Sequence, residues 1–353
     1  MSNGSLRESN VPETVAPEWQ RWIAENILLR KDVDLLVEAM VQNGFDRDAA
    51  VRAVQAALNH PYVAAAQAVV VGAAAATDNR LKKRDWVLEI YRRTTRLASA
   101  FGRVPRVRKP SRSEFLDRYY ARNEPVLIEG VANDWPALTR WTPAYFKQRL
   151  GQRIVEVQAH RHRDADYEIN KDKLRADMRF GDYVDLVEAI GSSNDYYITA
   201  KNAGKNEDSL RELWDDIPPC PEYLRDDAKE HGFFWYGPQG TVTPLHHDLT
   251  NNFMAQIRGR KLVRLLAPYE LADVYNHFHC YSQVDLDRID YNRFPRFRNV
   301  RILDLVLEPG DLFFLPVGWW HYVRALDVSI TMTFTHFAFD NDFYSLYTTY
   351  QQI

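Results

Sequence analysis

Cysteine is almost missing from this sequence. Cys220 and Cys280 are the only two among 353 residues, too few for a disulfide framework and in keeping with a reducing compartment. Neither sign of charge is in excess. Lys and Arg number 45 against 48 Asp and Glu, for a net charge of -3, so there is no global basic field and nucleic acid is not the default partner. Long apolar runs are missing as well: YVAAAQAVVVGAAAA, over residues 62–76, falls short of the about 20 residues that span a bilayer, and no membrane is expected as partner. Being apolar on nearly every side, that run predicts a buried helix or a helix at a subunit contact. The first residues, MSNGSLRESNVPET, are polar without an apolar core, so no secretory signal is expected and the protein reads as cytoplasmic.

What the chain does have is core-forming material, 46% hydrophobic and 13% aromatic, over a length that suggests two domains. Residues 1–15 are expected to be disordered and 16–101 to form an all-α domain. Segments 19–29, 33–43 and 46–58 space apolar residues three and four apart, with Asp46 capping the third helix and Gly44 ending the second. Residues 81–101 predict a longer amphipathic helix whose outer face carries Lys82, Lys83, Arg84, Arg92, Arg93 and Arg96. The stretch 102–112, GRVPRVRKPSR, reads as a linker.

From residue 113 the pattern changes. A helix over 113–123 leads to a short strand, PVLIEG, and Thr142-Pro143 starts another helix with threonine as cap. Residues 153–160 alternate as a strand, FGDYVDLVEAIG is an amphipathic helix, and short β-rich segments follow. This order predicts an α+β protein: a double-stranded β-helix, or jelly-roll barrel, over 113–339, with the all-α domain before it and a tail over 340–353.

The stretch GTVTPLHHDLTNNFMAQIRGRKLVRLLAP, residues 240–268, carries the chemistry. Residues 250–257 and 261–266 read as the strands of a β-hairpin turning at Arg258-Gly259-Arg260. His246 and Asp248 stand two apart and share a face, while His247 points away. A second imidazole is found in LEPGDLFFLPVGWWHYV, where an apolar strand ends at His321. Two imidazoles and a carboxylate leave three positions of an octahedral ion open, which suits non-haem Fe(II). Zinc prefers tetrahedral sites rich in thiolate or imidazole, and neither cysteine is beside these residues.

TPLHHD, NNFMAQIRGRK and LEPGDLFFLPVGWWH resemble the JmjC family of Fe(II)- and 2-oxoglutarate-dependent oxygenases. Within it they are most similar to the small cupin-like hydroxylases related to the asparaginyl hydroxylase that inhibits hypoxia-inducible factor. PVLIEGVANDWPALTRWTPAYF and DYYITAKN resemble the amino-terminal strands of that family. The resemblance implies that His246, Asp248 and His321 hold iron. It implies that Lys261 pairs with the distal carboxylate of 2-oxoglutarate, that Thr243 and Tyr197 supply a hydroxyl and a phenol, and that Asn252 places an amide nearby. For Lys261 the alternative is an ordinary strand residue in a basic neighbourhood with Arg258, Arg260 and Arg264. Met254 and Thr335 depart from the family pattern, so the substrate residue is not inherited.

The implied activity is hydroxylation of a protein or peptide side chain with Fe(II), 2-oxoglutarate and O₂, releasing succinate and CO₂. N-methyl-lysine demethylation or tRNA or nucleoside hydroxylation are alternatives on the same fold, and a non-catalytic cupin-like binding module is the alternative from another class. The helical domain would recruit substrate or form a homodimer. Four further groups are weighed as structural. His160, His162, Asp164 and Asp166 read as a polar loop, as do His277, His279 and Cys280; Trp319 and Trp320 read as barrel wall, and His336 as a packed strand residue.

Overall fold

The computed structural model describes residues 15–98, 102–199 and 203–350. Residues 1–14, the expected end of the long helix at 99–101, Ala200, Lys201 and Asn202 of DYYITAKN, and the last three residues of the tail lie outside them. The chain divides into two compact units, Met1–Val87 and Leu88–Ile353.

In the first unit α1 (Pro17–Leu28), α2 (Val33–Gln42) and α3 (Arg47–Leu58) bury Ile23 and Ile27 against Leu36, Val37, Met40, Ala50 and Val54. The Asp46 carboxylate accepts the Ala49 N–H at 3.0 Å, and Gly44 turns the chain at φ +92°. The next helix departs from expectation. Residues 62–76 and the basic segment after them form one helix, α4 (Pro61–Thr95), within which the division between units falls. Gly72 costs only about 1 kcal/mol against alanine in a helix interior, too little to stop an alanine-rich run. Nor is that run buried: Tyr62 is 82% and Val69 71% exposed. Arg92, expected on a solvated face, instead pairs with Glu270 at 2.9 Å and Asp273 at 2.8 Å. Among the described residues no helix is long and apolar enough to cross a membrane.

Within the second unit the expected linker is partly strand: β1 (Arg106–Arg108) pairs in parallel with β2 (Val126–Glu129). Val107 packs on the core while its neighbours face water, so three alternating residues suffice for an edge strand. Then come α5 (Arg112–Phe115), a π turn over Leu116–Tyr120, α6 (Ala137–Arg140) and α7 (Pro143–Leu150). Thr142 caps α7 by accepting the Tyr145 N–H at 3.2 Å. A two-stranded ribbon, β3 (Ile154–Gln158) and β4 (Arg175–Arg179), is followed by α8 (Phe180–Ala189) and α9 (Ala203–Leu210).

Ten strands complete the barrel: β5 (Phe233–Gly237), β6 (Val242–His247), β7 (Asn252–Arg258), β8 (Lys261–Leu266), β9 (Asn276–Phe278), β10 (Tyr281–Ser282), β11 (Leu303–Leu307), β12 (Leu312–Leu315), β13 (Trp320–Ala325) and β14 (Ser329–Phe334). Together with β1 and β2 they form two six-stranded sheets, in the orders β1-β2-β12-β7-β14-β5 and β11-β8-β13-β6-β10-β9. Leu127, Met254 and Phe313 of the first sheet share a core with Val263, Leu265 and Val323 of the second. The other face of the first sheet, with Phe253, Phe314 and Met332, packs with Phe146 and Phe180 of the helices. Two buried faces explain why LFFL is apolar at every position.

The expected hairpin is not one. β7 pairs with β12 and β14, β8 pairs with β11 and β13, and the turn at Gly259 carries the chain from one sheet to the other. Asn252, Met254 and Gln256 must face the interior from one wall while Lys261, Val263 and Leu265 face it from the opposite wall, which pairing in one sheet would prevent. Gly259, at φ +65°, permits the crossing; a Cβ there would lie 2.2 Å from the Val328 carbonyl oxygen.

Candidate active site

His246 near the end of β6 stands opposite His321 near the start of β13, with ring centroids 4.1 Å apart. Asp248 follows the end of β6, and one donor atom from each of the three lies within 4.8 Å of the others. Among the described residues this is the only such group of His, Cys, Asp and Glu. The tautomers are fixed from behind. His246 Nδ1 is 2.8 Å from the Pro244 carbonyl oxygen and His321 Nδ1 is 3.0 Å from that of Trp319. A carbonyl only accepts, so each Nδ1 carries the proton and each Nε2 keeps a lone pair. Those lone pairs face the Asp248 carboxylate, with Nε2–O separations of 3.7 and 3.9 Å. Three acceptors turned on one another without a proton between them repel unless a cation joins them.

Protonation agrees with that reading. Burial, and then the adjacent His246 ring, push His321 down to about 3. Burial would raise the Asp248 carboxyl, but His321, His246 and the Asn252 amide hold it below its ordinary range. Neutral imidazole and ionised carboxylate are the states that bind metal. Asn252 donates to Asp248 Oδ2 at 3.2 Å, which orients the carboxylate from the start of β7 in the other sheet. The donor set and geometry therefore fit one divalent ion with open positions. His247, expected to point away, packs its ring edge-on to Trp320 at 4.8 Å and also touches the cavity these groups line.

Lys261 is 2% exposed and donates to the Tyr197 phenol oxygen at 3.1 Å. Burial pulls its ammonium down to about 7. The neighbouring cations have acids: Arg258 binds Glu188 at 2.8 Å, Arg260 binds Asp327 at 2.8 Å, and Arg264 is 3.5 Å from Asp304. Lys261 has none within ion-pair distance among the described residues, and it opens on a cavity of about 460 Å³ that the three metal-ligand candidates also line. Tyr197, Thr243 and Asn252 line the same cavity.

Thr243 and His246 are three apart in one strand yet both face inward. Against β13, the step from His321 to Val323 spans two residues while its partners step from His246 to Thr243. The extra residue is a β-bulge at Pro244-Leu245, where a proline without N–H costs no ladder bond. Strict alternation does not foresee this.

Other lining residues were missed. Trp235 of β5 donates to Thr333 at 3.0 Å, and Thr331 donates to Gln256 at 2.8 Å; SITMTF alternates hydroxyl and apolar residues, a period-two signal that could have found them. Tyr281, stacked on His246 at 5.8 Å, had none. The expected loop at 277–280 is partly sheet: His277 lies in β9, and Tyr281 of β10 pairs with His246 because β6 offers a free edge. His162 engages Asp195, Trp319 donates to Asn123, Trp320 is buried, and His336 stacks on His231 at 4.2 Å. Met254 and Thr335 both line the cavity.

The sequence profile of the cupin-like domain matches residues 112–341. The chain is 34% identical over 246 residues to lysine-specific demethylase 8 of Xenopus tropicalis, covering 65% of this chain and 52% of that protein. It is 34% identical to lysine-specific demethylase JMJ30 of Arabidopsis thaliana, over 62% of this chain and 51% of that one. It is also 25% identical to tRNA wybutosine-synthesizing protein 5 of Gallus gallus, over 65% and 75%. The chain thus spans about half the length of the two demethylases. With the profile covering more than half of the chain, and with the barrel and its inward His-Asp-His group, the chain belongs to the cupin-like, JmjC-type family of Fe(II)- and 2-oxoglutarate-dependent oxygenases.

Proposed function

We propose that the protein is a 2-oxoglutarate-dependent oxygenase that hydroxylates a C–H bond in a side chain of a protein or peptide: R–H, O₂ and 2-oxoglutarate give R–OH, succinate and CO₂. The observation that carries this reading is a buried cation without an acid, Lys261, on the cavity that the three lone-pair donors also line. His246, Asp248 and His321 would hold Fe(II), which when bound supplies the activation of O₂. Lys261 binds a carboxylate of the co-substrate and returns to its charged form on doing so. Tyr197 and Thr243 add neutral donors, Asn252 keeps Asp248 oriented, and the apolar wall with Leu315 and Val323 excludes water.

The test is succinate formation from 2-oxoglutarate with Fe(II) and O₂. It is expected in the parent and lost in His246→Ala, Asp248→Ala and His321→Ala, with His247→Ala mild by comparison. Full activity in any of the three with metal still bound refutes the assignment. The names of the relatives favour a second reading, N-methyl-lysine demethylation. The two separate by mass: stable gain of one oxygen on a peptide marks hydroxylation, and loss of a methylene with release of formaldehyde marks demethylation.

A further inference from the structure

We infer that Arg161 is a positioning residue for co-substrate binding, acting through the Tyr197 ring; the inference rests on the reading above. Arg161 is fully buried and does not line the cavity, so it cannot touch the co-substrate itself. Its guanidinium joins three segments that do reach the cavity wall. One Nη donates to Asn194 Oδ1 at 2.8 Å; the other donates to Glu168 Oε1 at 2.6 Å and to the Val242 carbonyl oxygen at 2.8 Å. Asn194 Oδ1 also accepts the Val242 N–H at 2.8 Å, so both backbone groups of the residue before Thr243 are fixed from this one point. Glu168 itself lines the cavity.

The Arg161 Cζ lies over two rings, 4.2 Å from the Tyr167 centroid and 5.3 Å from that of Tyr197. Tyr197 is also held by its backbone, paired with Gln158, by a hydrogen bond with the Thr243 side chain, and by packing on Trp235 and on Gly237, where a Cβ would lie 2.7 Å from Tyr197 Cδ2. The phenol ends on Lys261. A cation fixed by three donated hydrogen bonds thus holds the ring whose oxygen orients the ammonium. Lysine in its place would keep the charge and lose both the fork and the stacking plane.

The experiment is a titration of the full-length, Mn(II)-loaded protein with 2-oxoglutarate, for the parent, Arg161→Lys, Tyr197→Phe and the double variant. Arg161→Lys should weaken 2-oxoglutarate by about tenfold while Mn(II) affinity and the succinate-forming kcat stay within about twofold. In the Tyr197→Phe background the same change should cost less than about twofold more, because the ring no longer presents an oxygen to misplace. A merely structural role would give equal losses in both backgrounds, and that result overturns the inference, as does unchanged affinity in Arg161→Lys. Should Arg161→Lys not fold, Asn194→Ser removes one anchor of the fork and must show a smaller loss of the same kind and the same dependence on Tyr197; additive or absent losses overturn it equally. If the parent itself binds no 2-oxoglutarate, the functional reading fails first, which the parent titration alone reveals.

Discussion

At the scale of single residues the account turns on Lys261. Removing one partner of a desolvated charge pair costs about 2 to 5 kcal/mol, which is tens- to thousands-fold in affinity. Lys261→Met should therefore weaken 2-oxoglutarate steeply and leave Fe(II) binding nearly intact, with Arg258→Met and Arg264→Met as controls and Lys261→Arg a poor substitute because its planar fork is larger. The pH dependence has a definite sign. Burial holds the Lys261 ammonium down to about 7, below the ordinary lysine value of 10.5, so above pH 7 it must take up a proton when the carboxylate binds. Affinity is expected to be flat below about pH 7 and to fall by up to tenfold per unit above it, with matching proton uptake in calorimetry in two buffers. Between pH 7 and 10.5 the unfolded chain holds this proton and the folded chain does not, so the linked contribution to stability rises with pH over that window. At neutral pH the ligand-free Lys261→Met protein should accordingly melt higher than the parent. A Met variant that binds 2-oxoglutarate like the parent would move the co-substrate site to another cation.

At the scale of elements the crossing between sheets is the point of greatest strain. Gly259→Ala puts a Cβ 2.2 Å from the Val328 carbonyl oxygen at φ +65°, whereas Gly191→Ala meets nothing within 4 Å at φ +71°. A left-handed alanine alone costs about 1 to 2 kcal/mol, so Gly191→Ala should lose about that much in urea unfolding and Gly259→Ala clearly more. Equal losses would mean that Val328 yields freely. These elements also show how far the sequence could be read. His246, Asp248 and His321 were legible because strand spacing and a strand terminus place them, and α1, α2 and α3 because their periodicity and caps agree. The hairpin failed because β7 and β8 look alike whether they pair with each other or with strands from elsewhere; only the demand that both face one interior separates the cases. Arg161 was passed over between two histidines, since the partners that bury it, Glu168, Asn194 and Val242, come from segments up to 81 residues away. The run in α4 is exposed within the single chain, which removes the buried-helix alternative, because composition alone does not say whether a surface of the same chain will cover it.

At the scale of the whole molecule the proposed site belongs to the second unit alone: every one of its residues lies after Leu88. A chain shortened to begin at Leu88 should keep the Fe(II) and 2-oxoglutarate affinities of the parent. Beginning at Ser113 instead removes β1 from its pairing with β2 and strips Arg92 from Glu270, which is 1% exposed in its side chain. Leaving such a carboxylate unpaired costs about 3 to 5 kcal/mol, so the shorter chain should be markedly less stable in the same unfolding measurement. Equal stability of the two would place the boundary back at residue 113. The most direct measurement of the central claim is an anaerobic titration of the Fe(II)-loaded parent with 2-oxoglutarate, followed by visible absorbance alongside Asp248→Ala and Lys261→Met. The account predicts a weak band that saturates in the parent, is absent in Asp248→Ala, and appears only at much higher 2-oxoglutarate in Lys261→Met. No band in the parent, or the same titration curve in all three proteins, would contradict it.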